Sequence, residues 1–121
     1  MLSPTDKAHA KAAAFTSPFT GQLLTTGWVL TELADALAST PRGRAEFFST
    51  LNDLQADHDA RIISYGDALM EEGIRLYSQR LDKKWSLTDC ISFVVMQREG
   101  LSEALTGDHH FEQAGFVALL K

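Results

Sequence analysis

The chain has 121 residues, 45% hydrophobic and 22% charged, which is typical of one folded globular domain and excludes a disordered chain. Its formal net charge of −5 excludes a general attraction for phosphate backbones, so any contact with nucleic acid must be local. A single cysteine, Cys90, and the lack of a secretion-signal pattern in residues 1–7 predict one cytoplasmic domain over residues 1–121.

The predicted elements alternate between helices and strands. An alanine-rich N-terminal helix begins at Ser3 and Pro4 and extends to Phe15, and residues 17–21 break it. Hydrophobic periodicity then predicts strands over 22–26, 61–64, 103–106 and 116–120, helices over 28–38, 41–54, 67–81 and 86–100, and a helical turn over 108–114. Strands separated by helices pair in parallel and are covered on both faces, so the predicted fold class is α/β with a small parallel sheet.

Three acids fall near the carboxyl ends of the predicted strands or on helices that begin there. Glu32 lies in the first turns of the helix after strand 22–26, Asp108 follows strand 103–106 by two residues, and Asp89 begins the helix before that strand. Ligands of open parallel sheets bind outside the carboxyl ends of the strands. Converging carboxylates suit Mg²⁺ or Mn²⁺, and a water bound to such an ion can act as a nucleophile.

Three segments carry a family resemblance, and together they span nearly the whole chain. Residues 25–33 (TTGWVLTEL), 85–93 (WSLTDCISF) and 105–116 (LTGDHHFEQAGF) resemble, in order and separation, the PIN-domain ribonucleases of the VapC-like toxin type. The resemblance implies a three-layer α/β/α fold, with Glu32, Asp89 and Asp108 as catalytic and metal-binding acids and Thr106 as a supporting residue. It also implies hydrolysis of RNA phosphodiester bonds with Mg²⁺ or Mn²⁺, an antitoxin protein as partner, and it leaves a homodimer open.

One part of the family pattern is missing from this sequence. PIN domains normally begin with a hydrophobic strand that ends in an acid, whereas residues 1–9 resemble the stretch about ten residues beyond that acid. We therefore expect the first strand to be absent and the nuclease to be impaired. The chain either folds marginally around a gap in the middle of the sheet, or closes the gap or exchanges strands. Asp6 is better explained as a helix-capping residue than as a replacement acid.

Simpler interpretations of the same acids remain open at this point. Asp89 stands three residues after Ser86, which is the spacing of a capping box, and Asp108 can cap the short turn that follows it. Glu32 can be a solvated helix acid beside Asp35. His109 and His110 predict no zinc site, because neighbouring side chains on a helix point about 100° apart.

A second function, from a different class, is also open. The hairpin of helices over residues 28–56 offers aromatic and leucine side chains to a partner, so the chain can be a non-catalytic PIN-like module that binds an antitoxin-like helix. Core or interface packing is the more frequent role of the larger aromatic residues: Trp28, Phe47, Phe48, Tyr77 and Trp85. Solvated surface is the simplest role for the basic groupings: Arg42, Arg44, Arg80, Lys83 and Lys84.

Overall fold

A computed structural model describes residues 14–16 and 22–120 of the chain. These residues form five strands and five helices, and the predicted α/β fold class is confirmed. In chain order they are β1 Ala14–Thr16, β2 Leu23–Thr26, α1 Gly27–Ala36, α2 Pro41–Ala56, β3 Ala60–Ile63, α3 Asp67–Gln79, α4 Leu87–Glu99, β4 Glu103–Leu105, α5 His109–Gln113 and β5 Val117–Ala118.

The strands form one sheet in the order β3-β2-β1-β4-β5. The predicted parallel pairing holds for β2 with β3 and for β4 with β5. Strand β1 lies between β2 and β4 and runs antiparallel to both, so the sheet is mixed. Because β2 and β4 each oppose β1, they run parallel to each other, and their carboxyl ends lie at the same edge of the sheet.

Strand β1 corrects one prediction and decides between two alternatives. We predicted that the N-terminal helix reaches Phe15, but Ala14–Thr16 is a strand. It occupies the middle of the sheet, so the gap expected from the missing first strand is closed. Phe15 pairs with both Leu24 and Ala104 and is fully buried. The backbone groups of β2 and β4 need partners, and this need outweighs the helix propensity of the alanine-rich sequence. The rest of that helix, its break at residues 17–21 and Asp6 lie outside the described residues.

The main core packs between the sheet and helix α4. Phe93 makes edge contacts with Trp85 and with Phe111, at ring-centroid distances of 4.9 Å in each case. Such pairs contribute beyond the apolar area that they bury. They also attach α5, through Phe111, to the first half of α4. The relative position of α4 and α5 is therefore set by the core.

Helices α3 and α4 approach each other closely at one glycine. Gly73 is buried, and a Cβ atom at this position would lie 2.3 Å from Cγ1 of Ile91. Helix α4 itself begins at a full capping box and ends at Gly100, whose φ of 68° needs a residue without a side chain. Both ends of α4 agree with the sequence prediction.

The last strand is shorter than predicted, but backbone hydrogen bonds to the neighbouring segment continue beyond it. We predicted a strand over 116–120, and β5 covers Val117–Ala118. Beyond it, the backbone N–H of Leu119 donates to the Ala104 carbonyl at 2.9 Å, and that of Leu120 donates to the Thr106 carbonyl at 3.1 Å. Among the helices that the structure describes, none combines the length and apolar character that crossing a membrane requires.

Candidate active site

The three predicted acids lie on helices that begin near the carboxyl edge of the sheet. Glu32 lies on α1, which begins directly after β2 with Thr26 as its N-cap. Asp108 is the N-cap of α5, which follows β4. Asp89 lies in the first turn of α4, whose contact with α5 brings this turn to the same place. We call Glu32, Asp89 and Asp108 the acid cluster.

Asp89 is held by two interactions at one of its oxygens. Its Oδ2 accepts a hydrogen bond from the backbone N–H of Ser86 at 3.0 Å, and the Ser86 hydroxyl accepts one from the Asp89 N–H at 3.0 Å. The same Oδ2 lies 2.9 Å from Nδ1 of His110. The capping box predicted from the sequence is therefore present, and it coexists with a contact to α5. The orientation of the carboxylate is fixed from two elements.

Asp108 is fixed in a similar way. Its Oδ1 accepts the backbone N–H of His110 at 3.0 Å and lies 3.5 Å from Nδ1 of the same residue. The hydroxyl of Thr106, which is fully buried, accepts the Asp108 N–H at 3.2 Å. Thr106 therefore holds the backbone of Asp108.

Glu32 is electrostatically linked to both other acids. Partial burial of its carboxyl raises the pKa above the ordinary 4.5, and the negative charge of Asp89 raises it further. A hydrogen bond from Thr88 opposes the shift, and smaller contributions from Asp108 and Asp35 add to it. Although Glu32 is exposed as a residue, it is thus not an isolated solvated acid. The structure brings the three acids together.

The acid cluster has little positive charge to balance it. Among the described residues, no Lys or Arg forms an ion pair with any of the three acids, and the ion-pair partners of Asp89 and Asp108 are histidines. Three carboxylates that repel each other favour a bound cation, and hard oxygen donors suit Mg²⁺ or Mn²⁺. The residues present therefore fit a divalent metal ion.

The two histidines are closer together than we predicted. Their ring centroids lie 4.4 Å apart, and the possible ligand atoms of Asp108, His109 and His110 all lie within 4.8 Å of one another. Both rings turn toward Asp108 in the first turn of a short helix, so their positions allow a shared ion, and the absence of a zinc site stays a prediction. Imidazole ligands suit Zn²⁺, Fe²⁺ or Ni²⁺, whereas Mg²⁺ and Mn²⁺ prefer oxygen donors.

Sequence reasoning missed two residues of this site. His110 contacts both Asp89 and Asp108, and Thr88 bonds to Glu32. The signal for Thr88 is its position beside Asp89 in the first turn of α4. For His110 the only local signal is its place two residues after Asp108, and nothing nearby in the sequence indicates the contact with Asp89.

The comparisons with known proteins bear on the fold. The chain matches no model of a known protein family, and no curated protein matches it. Its structure is similar to the crystal structure of VapC20 from Mycobacterium tuberculosis, a sarcin–ricin loop cleaving toxin, with a TM-score of 0.70 and 24% sequence identity. The match covers 79% of this chain and 72% of VapC20.

This chain has a VapC-like PIN-domain fold. The three-layer architecture expected from the family resemblance is thereby confirmed. The acid cluster lies at the carboxyl edge of the sheet, which is where ligands of open α/β sheets bind.

Proposed function

We propose that this chain is a metal-dependent endoribonuclease that hydrolyses RNA phosphodiester bonds. The observation that carries the proposal is the acid cluster, in which three carboxylates converge without a Lys or Arg partner among the described residues. The structural similarity to a toxin that cleaves the sarcin–ricin loop supports RNA as the substrate class. Glu32, Asp89 and Asp108 would hold the ion, and Thr106 would keep Asp108 in place.

The proposed chemistry needs no protein nucleophile. When bound, Mg²⁺ or Mn²⁺ supplies a water of lowered pKa and neutralises charge on the scissile phosphate. The protein's part is to fix the carboxylates. Asp89 and Asp108 each bind backbone N–H groups through one oxygen, Oδ2 and Oδ1 respectively. In each carboxylate the other oxygen forms no hydrogen bond with a described residue.

The test is cleavage of RNA by the purified chain with Mg²⁺ or Mn²⁺. The substrates should include a hairpin containing the sarcin–ricin loop as well as unstructured RNA. The variants Asp89→Asn and Asp108→Asn should each lose at least about 100-fold in single-turnover rate, as expected when a ligand that fixes a catalytic ion is removed. The matched control is Asp53→Asn, which removes an exposed carboxylate on α2. Metal-independent cleavage, or equal rates in all three variants, would refute the proposal.

We also propose that the activity is weak. The end of β1 that lies beside the carboxyl end of β4 is Ala14, and the described part of β1 carries no acid. Among the described residues, the acid cluster therefore lacks the carboxylate that the family resemblance places at the end of the central strand. Assayed side by side on the same RNA, the chain should be slower than VapC20; an equal rate would contradict the impairment.

A second candidate function is the binding of an antitoxin-like helix by the α1–α2 hairpin. Most of its apolar side chains are internal, since Leu33 and Leu37 are buried and pack with Phe47. Phe48, however, is 64% exposed on α2. Phe48→Ser should then abolish co-purification of an antitoxin-like protein while leaving metal-dependent cleavage unchanged. Retained co-purification would count against this hairpin as the binding surface.

A further inference from the structure

A cavity of about 290 Å³ lies between the end of α3 and the start of α4. We call it the basic pocket, because three of its lining residues are cationic. It is lined by Tyr77, Arg80, Leu81, Lys83, Lys84, Trp85 and Cys90. Its volume is close to the lower end of the range for small-molecule sites, which is suitable for a single nucleotide.

The segment over residues 80–84 is positively charged, whereas the chain as a whole is negatively charged. Arg80, Lys83 and Lys84 stand within five residues that contain one acid, Asp82, whereas the whole chain has a net charge of −5. Lys84 is exposed and forms no ion pair with another described residue. A local basic patch on an acidic protein is what binding of a phosphate backbone requires here.

The walls of the basic pocket are fixed by the core. The guanidinium of Arg80 lies 4.9 Å from the centroid of the Trp85 ring. Trp85 is buried, and its Nε1–H donates to Oε1 of Gln113 on α5 at 3.0 Å. Tyr77, at the open side, is 53% exposed and offers an aromatic face to solvent. Exposed aromatic rings next to cations are the usual platform for single-stranded nucleic acid.

The basic pocket and the acid cluster share the first turn of α4. Cys90 lines the pocket and Asp89 belongs to the cluster, and the two are consecutive on α4. Consecutive helical side chains point about 100° apart, so pocket and cluster occupy adjacent sides of the first turn of α4. The hydrogen bond from Trp85 to Gln113 also attaches the pocket to α5, which carries His110.

We propose that the basic pocket binds one nucleotide of a single-stranded RNA segment next to the bond that is cleaved. Lys83 and Lys84 contact the phosphate, and the base stacks on Tyr77. This inference rests on the proposed ribonuclease function, which supplies the cleaved bond. Binding of RNA to the pocket can be tested without catalysis. It favours RNA over an acidic helical peptide because an aromatic face beside clustered cations suits a base and its phosphate together.

Asp82 controls how much positive charge is available. Its carboxylate forms a two-point hydrogen bond with Arg80, with distances of 3.1 and 3.2 Å, and lies 3.6 Å from Nζ of Lys83. At neutral pH it therefore competes with a phosphate for two of the three cations. Removal of this carboxylate should strengthen RNA binding.

The experiment measures fluorescence anisotropy of a short labelled RNA in EDTA, which removes the metal ion that the proposed cleavage requires. The double variant Lys83→Gln/Lys84→Gln should bind about ten-fold more weakly, and its slope of log affinity against log salt should fall by about 1.4. Tyr77→Leu should also lose about ten-fold, because it keeps apolar area but removes the stacking face. Asp82→Asn should bind about three-fold more tightly.

Matched controls separate this site from a general charge effect. Arg42→Gln/Arg61→Gln removes two exposed cations on α2 and β3, and Asp53→Asn removes an exposed acid on α2. Each control should change affinity by about two-fold or less. Equal losses in the two double variants, no RNA binding by the wild-type chain, or binding of an acidic peptide instead would overturn the proposal. If the wild-type chain binds RNA through this pocket but never cleaves it, the proposed nuclease function is wrong and the RNA-binding role of the pocket is supported.

Discussion

Nδ1 of His110 lies 2.9 Å from Oδ2 of Asp89, although the two residues are 21 positions apart in the sequence. The same nitrogen is 3.5 Å from Oδ1 of Asp108, so one imidazole contacts two acids of the cluster. The three side chains are mostly buried, with relative exposures of 20% for His110, 13% for Asp89 and 17% for Asp108. His110 therefore joins α5 to α4 at the candidate metal site and fixes the direction of both carboxylates.

Replacement of His110 tests this positioning role. His110→Ala should lower Mn²⁺ affinity, measured by calorimetry, and kcat for RNA cleavage by about 10- to 100-fold each, the usual effect of removing a group that orients metal ligands. His109→Ala is the matched control, because His109 is 62% exposed and its ion-pair distance is the longer one, 3.7 Å to Asp108, whereas His110 lies 2.9 Å from Asp89. If both variants lose Mn²⁺ affinity equally, the imidazoles bind the ion themselves and the positioning role is wrong.

Thr106 offers a prediction with a conservative rescue. Its hydroxyl is fully buried and accepts the backbone N–H of Asp108. Thr106→Val leaves that N–H without its partner and should lower the free energy of unfolding by about 1–3 kcal/mol. Thr106→Ser retains the hydroxyl, so its metal affinity should stay near that of the wild type, whereas the Val variant should bind the ion more weakly. Equal metal affinities in the two variants would show that Thr106 has no influence on the site.

The raised pKa of Glu32 makes stability depend on pH. Because the folded-state pKa lies above the ordinary 4.5, the native state holds this proton more tightly than the unfolded state does. Stability therefore falls as pH rises from about 4.5 through the folded-state pKa, and the loss remains complete at neutral pH. Glu32→Gln lacks this titration, so without metal its Tm should exceed that of the wild type at pH 7 and approach it near pH 4.

A bound metal ion should reverse the order of the two Tm values, so that the wild type is more stable than Glu32→Gln. A cation held by the acid cluster binds the native state and raises Tm by mass action, and it should do so more for the wild type than for Glu32→Gln. Thermal unfolding at pH 7 with and without Mn²⁺ measures both effects in one series. Glu32→Gln that is less stable than the wild type in EDTA would contradict the repulsion between these acids.

The sequence predicted those parts of the fold that depend on local signals. Helix α4 is an example, since Ser86, Asp89 and Gly100 mark its two ends within the helix itself. The positions of the three acids at one edge followed from the rule that connects strand ends to ligand sites. Apolar residues at helical spacing were sufficient to predict the remaining helices that the structure describes.

Strand β1 and the His110 contact could not be predicted in this way. Ala14–Thr16 is a strand because Leu24 and Ala104 need backbone partners, and Ala104 is distant in the sequence. His110 meets Asp89 because Phe111 packs on Phe93 and brings α5 against α4. Both features depend on tertiary contacts, which outweigh the local propensity of a short segment.

The contact between α3 and α4 gives a prediction about stability alone. A Cβ at Gly73 would lie 2.3 Å from Cγ1 of Ile91 and 3.3 Å from its Cα, so the helices would have to move apart. Overpacking of this kind costs about 1–3 kcal/mol, whereas alanine gains about 1 kcal/mol in helix propensity, and we expect Gly73→Ala to lose about 1–2 kcal/mol. Urea unfolding of Gly73→Ala, Ile91→Ala and the double variant measures the coupling. Since Ile91→Ala removes the Cγ1 atom that clashes, Gly73→Ala should cost nothing in that background, and an equal cost in both backgrounds would show that the approach of these two residues is not what requires glycine.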